Sequence, residues 1–250
     1  MKLEHASWME VKKYLNKPRG ILLPIGSTEQ HGPIGLIGTD TICSSIIADG
    51  VSEKIRMYIA PKISYTPAKF NMKFAGTVSI SIEVFKGLIC EVIQSLLKHG
   101  FKFVYILNGH GANIEPVKEI IEELNNCNIF IKSWWDFPEV NILRKKFFGE
   151  WEGMHATPSE ISITQINHRK IINKNLNDCA KLPPKKLSAK FIKDHSGDKH
   201  GHPDEHFRLF PDGRVGSHSA LANPEYGKLI LTSAIRAVTK DIKLIEKSIQ

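Results

Sequence analysis

Long apolar runs are missing from this 250-residue chain. No stretch approaches the roughly 18 residues that span a bilayer. Residues 1–20 carry Glu4, Glu10 and several lysines where a signal peptide would need an apolar block. Neither a membrane segment nor a secretion signal is expected. Cysteine is also sparse: Cys43, Cys90, Cys127 and Cys179 stand far apart with no CxxC pair. That excludes a disulfide-dense scaffold and leaves a reduced, cytoplasmic setting as the expectation. Acidic residues are in the minority, 26 against 34 lysines and arginines, for a formal charge of +8. The excess does not read as a nucleic-acid surface. Lysines gather no further than Lys12-Lys13, Lys145-Lys146 and Lys185-Lys186, and no aromatic-interleaved basic motif accompanies them. A solvated lysine-rich surface is the reading, with an electrostatic pull on an anionic substrate left open.

What is present is ordinary for a globular protein, with 42% hydrophobic and 24% charged residues. The length suits one domain over residues 1–250. The first half alternates strand and helix signals. Residues 20–26 (GILLPIG) form an apolar run ending in glycine, 41–55 repeat apolar positions at helical spacing, and a short strand is expected over 58–63. Residues 81–99 read as a long amphipathic helix closed by Gly100. Strand 101–109 (FKFVYILNG), helix 114–126 and strand 128–135 follow. This alternation predicts an α/β fold, three layers with a mainly parallel sheet. Residues 181–217 hold four prolines, four glycines and four histidines and read as a long excursion. Residues 223–247 read as a closing helix, with Asn223 as N-cap and Pro224 at N1.

In open parallel sheets, ligands sit beyond the carboxyl ends of strands, and two segments rich in metal-binding side chains fall there. In Gly26-Ser27-Thr28-Glu29-Gln30-His31, Glu29 and His31 are two apart and leave an extended chain on one side, while Asp40 lies beyond a glycine-containing loop. One imidazole and two carboxylates make a mixed N/O set suited to Zn, Mn or Fe(II). The bland alternative is that Asp40 caps a helix starting at Thr41 and Glu29 is an exposed loop residue. In Asn108-Gly109-His110-Gly111-Ala112-Asn113, glycines on both sides let the backbone approach a ligand and point His110 out of the strand end. Alternatively the glycines only make a turn and Asn113 caps the next helix. Around His155, Thr157, Pro158 and Glu160 fit a capping box, a role compatible with Glu160 also facing a cleft. Trp134 and Trp135 offer either a flat wall for a planar substrate or core packing. His195, His200, His202 and His206 crowd one polar loop with Asp198, Asp204 and Glu205 at no standard zinc spacing; an active-site flap or a separate metal site are the two readings.

Together the segments LPIGSTEQHGPIGLIGTDT (23–41), FAGTVSIS (74–81), ILNGHGAN (106–113), SWWDF (133–137) and HATPSEIS (155–162) resemble the creatininase (creatinine amidohydrolase) family, with a weaker likeness through DGRVGSHSALANPEYGK (212–228). The resemblance implies metal-dependent amidohydrolase chemistry at a two-metal centre. Glu29, Asp40 and His110 match the family's ligands, Asp40 bridging, and His31 matches a ligand of the second metal. His155 matches a histidine proposed to carry protons to the leaving nitrogen, and Trp135 and Trp151 match residues that stack on substrate. Creatininases themselves carry a carboxylate ligand where this chain has Ala112, which counts against creatinine as the substrate; Glu160 is the nearest replacement. Ile34 and Gly35-Leu36 also depart from the common pattern. The implied partner is a small-molecule amide, and the implied assembly is a homo-oligomer, a hexamer by analogy.

Two rival readings accompany this one. A deformylase acting on a formamidopyrimidine-type nucleotide would suit the basic charge. A non-catalytic binding protein that keeps a metal site would suit Ala112.

Overall fold

The computed structural model describes residues 1–168, 180–197 and 200–249, so Cys179 and Asp198 lie outside the described residues. Four parallel strands form one sheet in the order β2-β1-β3-β4. They are β1 (Ile21–Ile25), β2 (Tyr58–Ile59), β3 (Val104–Asn108) and β4 (Ile129–Ser133). β1 lies in register with β3 from Ile21 opposite Val104 to Ile25 opposite Asn108. The β2 ladder is only two residues long and diverges after Ile59, although Ile63 returns to bridge Ile25. The expected strand over 58–63 is therefore interrupted, with Pro61 in the gap.

Both faces of the sheet are covered, which is why the strands read as continuous apolar runs. Side chains alternate between two cores. Leu22, Tyr105 and Leu107 pack with α2 (Thr39–Ile55), α5 (Pro138–Phe148) and α9 (Pro224–Ile249). Ile21, Leu23, Ile25, Val104 and Ile106 pack with α3 (Ile82–Lys98) and α4 (Ile114–Leu124). The three-layer α/β expectation is met.

Three local expectations change. The helix read from residue 41 begins at Thr39 with Gly38 as its N-cap, so Asp40 sits inside the first turn and caps nothing. Asn113 gives no side-chain cap to α4; its amide instead reaches the Gly26 carbonyl at 2.9 Å. Helices α1 (Trp8–Tyr14) and α5 are additions to the sequence reading. α1 is short and exposed, so no apolar stripe announces it, although Ser7 and Glu10 form a complete capping box. At the other end, Asn223 Oδ1 accepts from the Glu225 N–H at 2.8 Å, as expected for the start of α9. The excursion 181–217 contains α7 (Ala189–Asp194) and α8 (Pro203–Leu209). No described helix is long and apolar enough to cross a membrane.

Candidate metal centre

The strand order changes direction between β1 and β3, and the site lies beyond their carboxyl ends, where such sheets open a crevice. Two glycines set the approach. A Cβ on Gly26 would lie 2.3 Å from the Thr41 nitrogen, and one on Gly109 would lie 2.2 Å from the Asp40 carbonyl oxygen. Both strand ends thus abut the first turn of α2, which carries Asp40 over them.

The carboxylates and imidazoles singled out in the sequence converge there. Glu29, His31, Asp40, His110, His155 and Glu160 are all buried, so Glu29 is not an exposed loop residue. Asp40 faces two rings at once: its Oδ1 lies 2.8 Å from His31 Nε2 and its Oδ2 lies 3.0 Å from His110 Nδ1. His110 Nδ1 also lies 3.0 Å from Glu29 Oε1. Glu160 Oε1 is 3.9 Å from His31 Nε2, and His155 Nδ1 is 3.7 Å from Glu29 Oε1. Glu160 also completes its capping box with Thr157, so both readings of that residue hold in one conformation. It comes from α6 (Pro158–Thr164), and the loop before it holds Ala156 at a left-handed φ of 57°, uncommon for a residue with a side chain.

Each ring is turned by the main chain. His31 Nδ1 lies 3.1 Å from the Glu29 carbonyl, His110 Nε2 is 2.8 Å from the Pro67 carbonyl, and His155 Nε2 is 2.7 Å from the Gln30 carbonyl. A carbonyl only accepts, so the nitrogen facing it carries the hydrogen and the other nitrogen faces the carboxylates. This is how metal-ligating histidines are held. The carboxylates are oriented in turn: Ser27 Oγ donates to Asp40 Oδ2 at 2.7 Å, and Asn71 Nδ2 donates to Glu29 Oε2 at 2.8 Å. Ser27 adjoins a motif read in the sequence. Asn71 has no signal in its own neighbourhood, and only the fold brings it here.

Charge confined in this space moves the titrations. Burial disfavours a charged His31, but the Asp40 carboxylate, its hydrogen bond, Glu160 and Glu29 outweigh that and raise its pKa to about 10. His110 is raised too, its burial overcome by Glu29 and Asp40. Burial alone would raise Asp40, yet the two imidazoles hold it well below the usual carboxylate range. Burial pushes Glu160 up to about 8, with His31 opposing and the Asp40 charge adding to the rise.

The donor set fits divalent cations. Glu29, Asp40 and His110 form one group of convergent ligand atoms, His31, Asp40 and Glu160 a second, and Glu29, His31 and His155 a third. Asp40 is common to the first two. Glu29 Oε1 is buried with no well-formed hydrogen bond despite its imidazole neighbours, an orphan acceptor aimed into the cluster. Ala112 lines a neighbouring cavity and supplies no ligand.

A cavity of about 340 Å³ opens onto the cluster, lined by Asp40, His110, His155 and Glu160 and walled by Trp134, Trp135 and Arg144. The excursion contributes Ile192, Ser196 and Gly197 to it. Trp151 does not line this cavity: its ring sits 5.7 Å from His218, with the Lys186 ammonium 5.0 Å away. Trp134 is buried, and its Nε1–H finds no acceptor among the described residues, an omission that costs about 1–3 kcal/mol. His195, His200 and His206 stack among Phe70, Phe191 and Phe210 and form no metal group among the described residues.

The model of the creatininase family, described as creatinine amidohydrolase, matches residues 4–242. The chain belongs to that family. Among individual proteins, it is 33% identical over 113 residues to a mycofactocin precursor peptide peptidase of Mycobacterium ulcerans, covering 42% of this chain and 45% of that protein. It is 25% identical over 162 residues to a creatinine amidohydrolase of Pseudomonas putida, covering 57% and 62%. The matched stretches thus span about half the length of these curated relatives. Among solved structures, a manganese creatininase superposes with a TM-score of 0.79 at 20% identity, covering 97% of each chain. A Zn-Zn creatininase variant gives the same TM-score and identity over 97% of this chain and 96% of the other. These confirm the fold.

Proposed function

We propose that this creatininase-family protein is a metal-dependent hydrolase that cleaves the C–N amide bond of a small molecule. The observation that carries the reading is Asp40, whose two oxygens face two separate imidazoles, each within 3.0 Å. That is the arrangement a shared carboxylate needs to serve two cations. Glu29, Asp40 and His110 would hold one cation, and His31, Asp40 and Glu160 the second. Zn, Mn and Fe(II) all suit this N/O set. Divalent cations there lower the pKa of a water from about 15.7 to about 7 and polarise an amide oxygen.

The chain's own residues supply the rest. Trp134 and Trp135 line the cavity edge to face, their planes 87° apart, so a planar amide can lie against one ring, and the less buried Trp135 is the one proposed to take it. His155 keeps Nε2 on the Gln30 carbonyl, so Nδ1 is the atom that takes up a proton and passes it to the departing nitrogen. Ser27 and Asn71 fix the carboxylates against rotation. The bond cleaved is proposed to be a non-peptide amide, cyclic or formyl. A homo-oligomer, hexameric by analogy, belongs to the same proposal and is read by light scattering.

The test is elemental analysis of chelator-free protein, followed by a screen of cyclic amides, formamides and short peptides. Two tightly bound divalent metals with turnover of the first two classes is the expected result. Turnover of peptides alone would reassign the bond, and a protein with no metal and no turnover would refute the reading.

A further inference from the structure

The cavity beside the acidic cluster is lined by a guanidinium with one donor that meets no acceptor among the described residues. Arg144, on α5, lines the cavity with its side chain 16% exposed. Three contacts fix its guanidinium. Nε donates to Glu152 Oε1 at 2.9 Å, Nη1 donates to Asn141 Oδ1 at 2.7 Å, and the group sits 5.5 Å over the Trp134 ring. A longer contact of 3.4 Å joins Nε to Ser159 Oγ. Nη2 donates to nothing among the described residues. Directly beneath is Trp134, 1% exposed, whose Nε1–H also lacks an acceptor. Both residues line the same cavity as His110, His155 and Glu160.

We propose that Arg144 Nη2 receives an anionic oxygen of the substrate, with the Trp134 ring supporting the guanidinium from beneath, so that the amide hydrolysed here bears a carboxylate a few atoms from its scissile bond. This rests on the proposed amide hydrolysis and narrows it. A guanidinium donates only and cannot shed its charge, so the missing partner of Nη2 must be an acceptor and is best an anion. Glu152 pairs with the guanidinium through Oε1, which takes Nε and Ser159, while its buried Oε2 makes no hydrogen bond and so leaves Nη2 unpaired. Of the other acidic residues lining the cavity, Asp40 and Glu160 belong to the cation cluster and Asp136 accepts from the Ser133 N–H, so Arg144 is the cation left for a carboxylate there. The scissile amide is thereby oriented: its carboxylate end lies against α5 and its carbonyl toward Asp40 and His110. Free N-acyl amino acids and the carboxyl terminus of a short peptide share this chemistry.

Binding separates the idea from catalysis. The intrinsic tryptophan fluorescence of the metal-loaded protein is titrated with N-benzoylglycine and with its neutral amide. The acid is expected to bind at least ~10-fold more tightly, the discrimination typical of one charge-assisted hydrogen bond. Arg144→Gln should bring the ratio of the two affinities close to one, Arg144→Lys should retain part of it, and Trp134→Phe should lower it by loosening the support under the guanidinium. Metal content and circular dichroism should stay constant across the series. Equal affinities in the unaltered protein, binding of neither probe, or an unchanged ratio in Arg144→Gln would each overturn the proposal. Hydrolysis of neutral and acidic amides at equal rates would also sink it while leaving the hydrolase reading in place. Loss of metal and turnover would sink that reading, whereas Arg144 can still bind the acid. A dipeptide and its amide, run alongside, decide between the two sources of carboxylate.

Discussion

Two parts of this molecule hold histidines, and they hold them differently. At the ends of β1 and β3, His31 and His110 are buried, each ring is fixed by a main-chain carbonyl, and each faces carboxylates within 3.0 Å. In the excursion over 181–217, His195 stacks on Phe191 at 3.8 Å and His200 leans on Phe70 at 4.7 Å. The ion pairs beside these rings are exposed ones, such as Lys73 with Asp204, and the buried Arg214 pairs with Asp212 at the end of the excursion. Buried charge needs fully determined partners, because each unpaired group costs several kcal/mol. Stacked rings and exposed pairs are cheap to rearrange. The contrast assigns chemistry to the first region and shape of the cavity mouth to the second, since Ile192, Ser196 and Gly197 enter the cavity from the excursion.

The sharpest way to break that contrast is Asp40→Ala, which should remove both metals and turnover together, read by elemental analysis and initial rates. Full metal occupancy in that variant would show that Asp40 bridges nothing. His155→Ala comes next: metals retained, with the rate reduced about 10²–10⁴-fold as for loss of a proton-transfer group. Ser27→Ala or Asn71→Ala should weaken metal binding about 10–100-fold, measured by competition with a chelator.

A pH series sharpens the comparison further. In metal-free protein His31 titrates at about 10 against 6.5 for the free side chain, so its stabilising charge pairing is whole below pH 6.5 and is lost as pH climbs toward 10. Glu160, raised from 4.5 to about 8, contributes in the same sense, its share waning from pH 4.5 to 8. The melting temperature of metal-free protein should therefore fall across pH 6.5–10. Metal loading at pH 7 should release protons into a weakly buffered solution, and metal affinity should rise with pH. A flat melting profile and no proton release would show that the cluster is not carrying protons in a cation's place. The smallest effect belongs to the excursion. Ser188 accepts from the Phe191 N–H at the start of α7, so Ser188→Ala should cost about 1 kcal/mol locally, seen as faster amide exchange there with metal content unchanged.

The reach of the sequence follows the same division. The sheet was legible because β1 and β3 are buried on both faces, and continuous apolar runs ending in glycine say so directly. Glu29, His31, Asp40 and His110 were legible because each stands at or just beyond a strand end, where topology alone predicts a crevice. Asn71 was not, because its role arises from packing between segments distant in sequence, and Ser27 and Arg144 were not because a lone hydroxyl or guanidinium carries no signal until its neighbours are placed. α5 was missed for a local reason: Arg144, Lys145 and Lys146 interrupt its apolar positions just before Phe147 and Phe148. Trp151, placed by resemblance at the substrate, stands outside the cavity lining beside His218.

The main-chain grip on the imidazoles has a consequence for how such a centre diversifies. No side chain supplies those three acceptors, so no single substitution can delete one, and the ring orientations travel with the path of the backbone itself. Lineages sharing that path are free to rewrite the walls around it. A centre wired this way separates the inheritance of reactivity from the choice of what reacts.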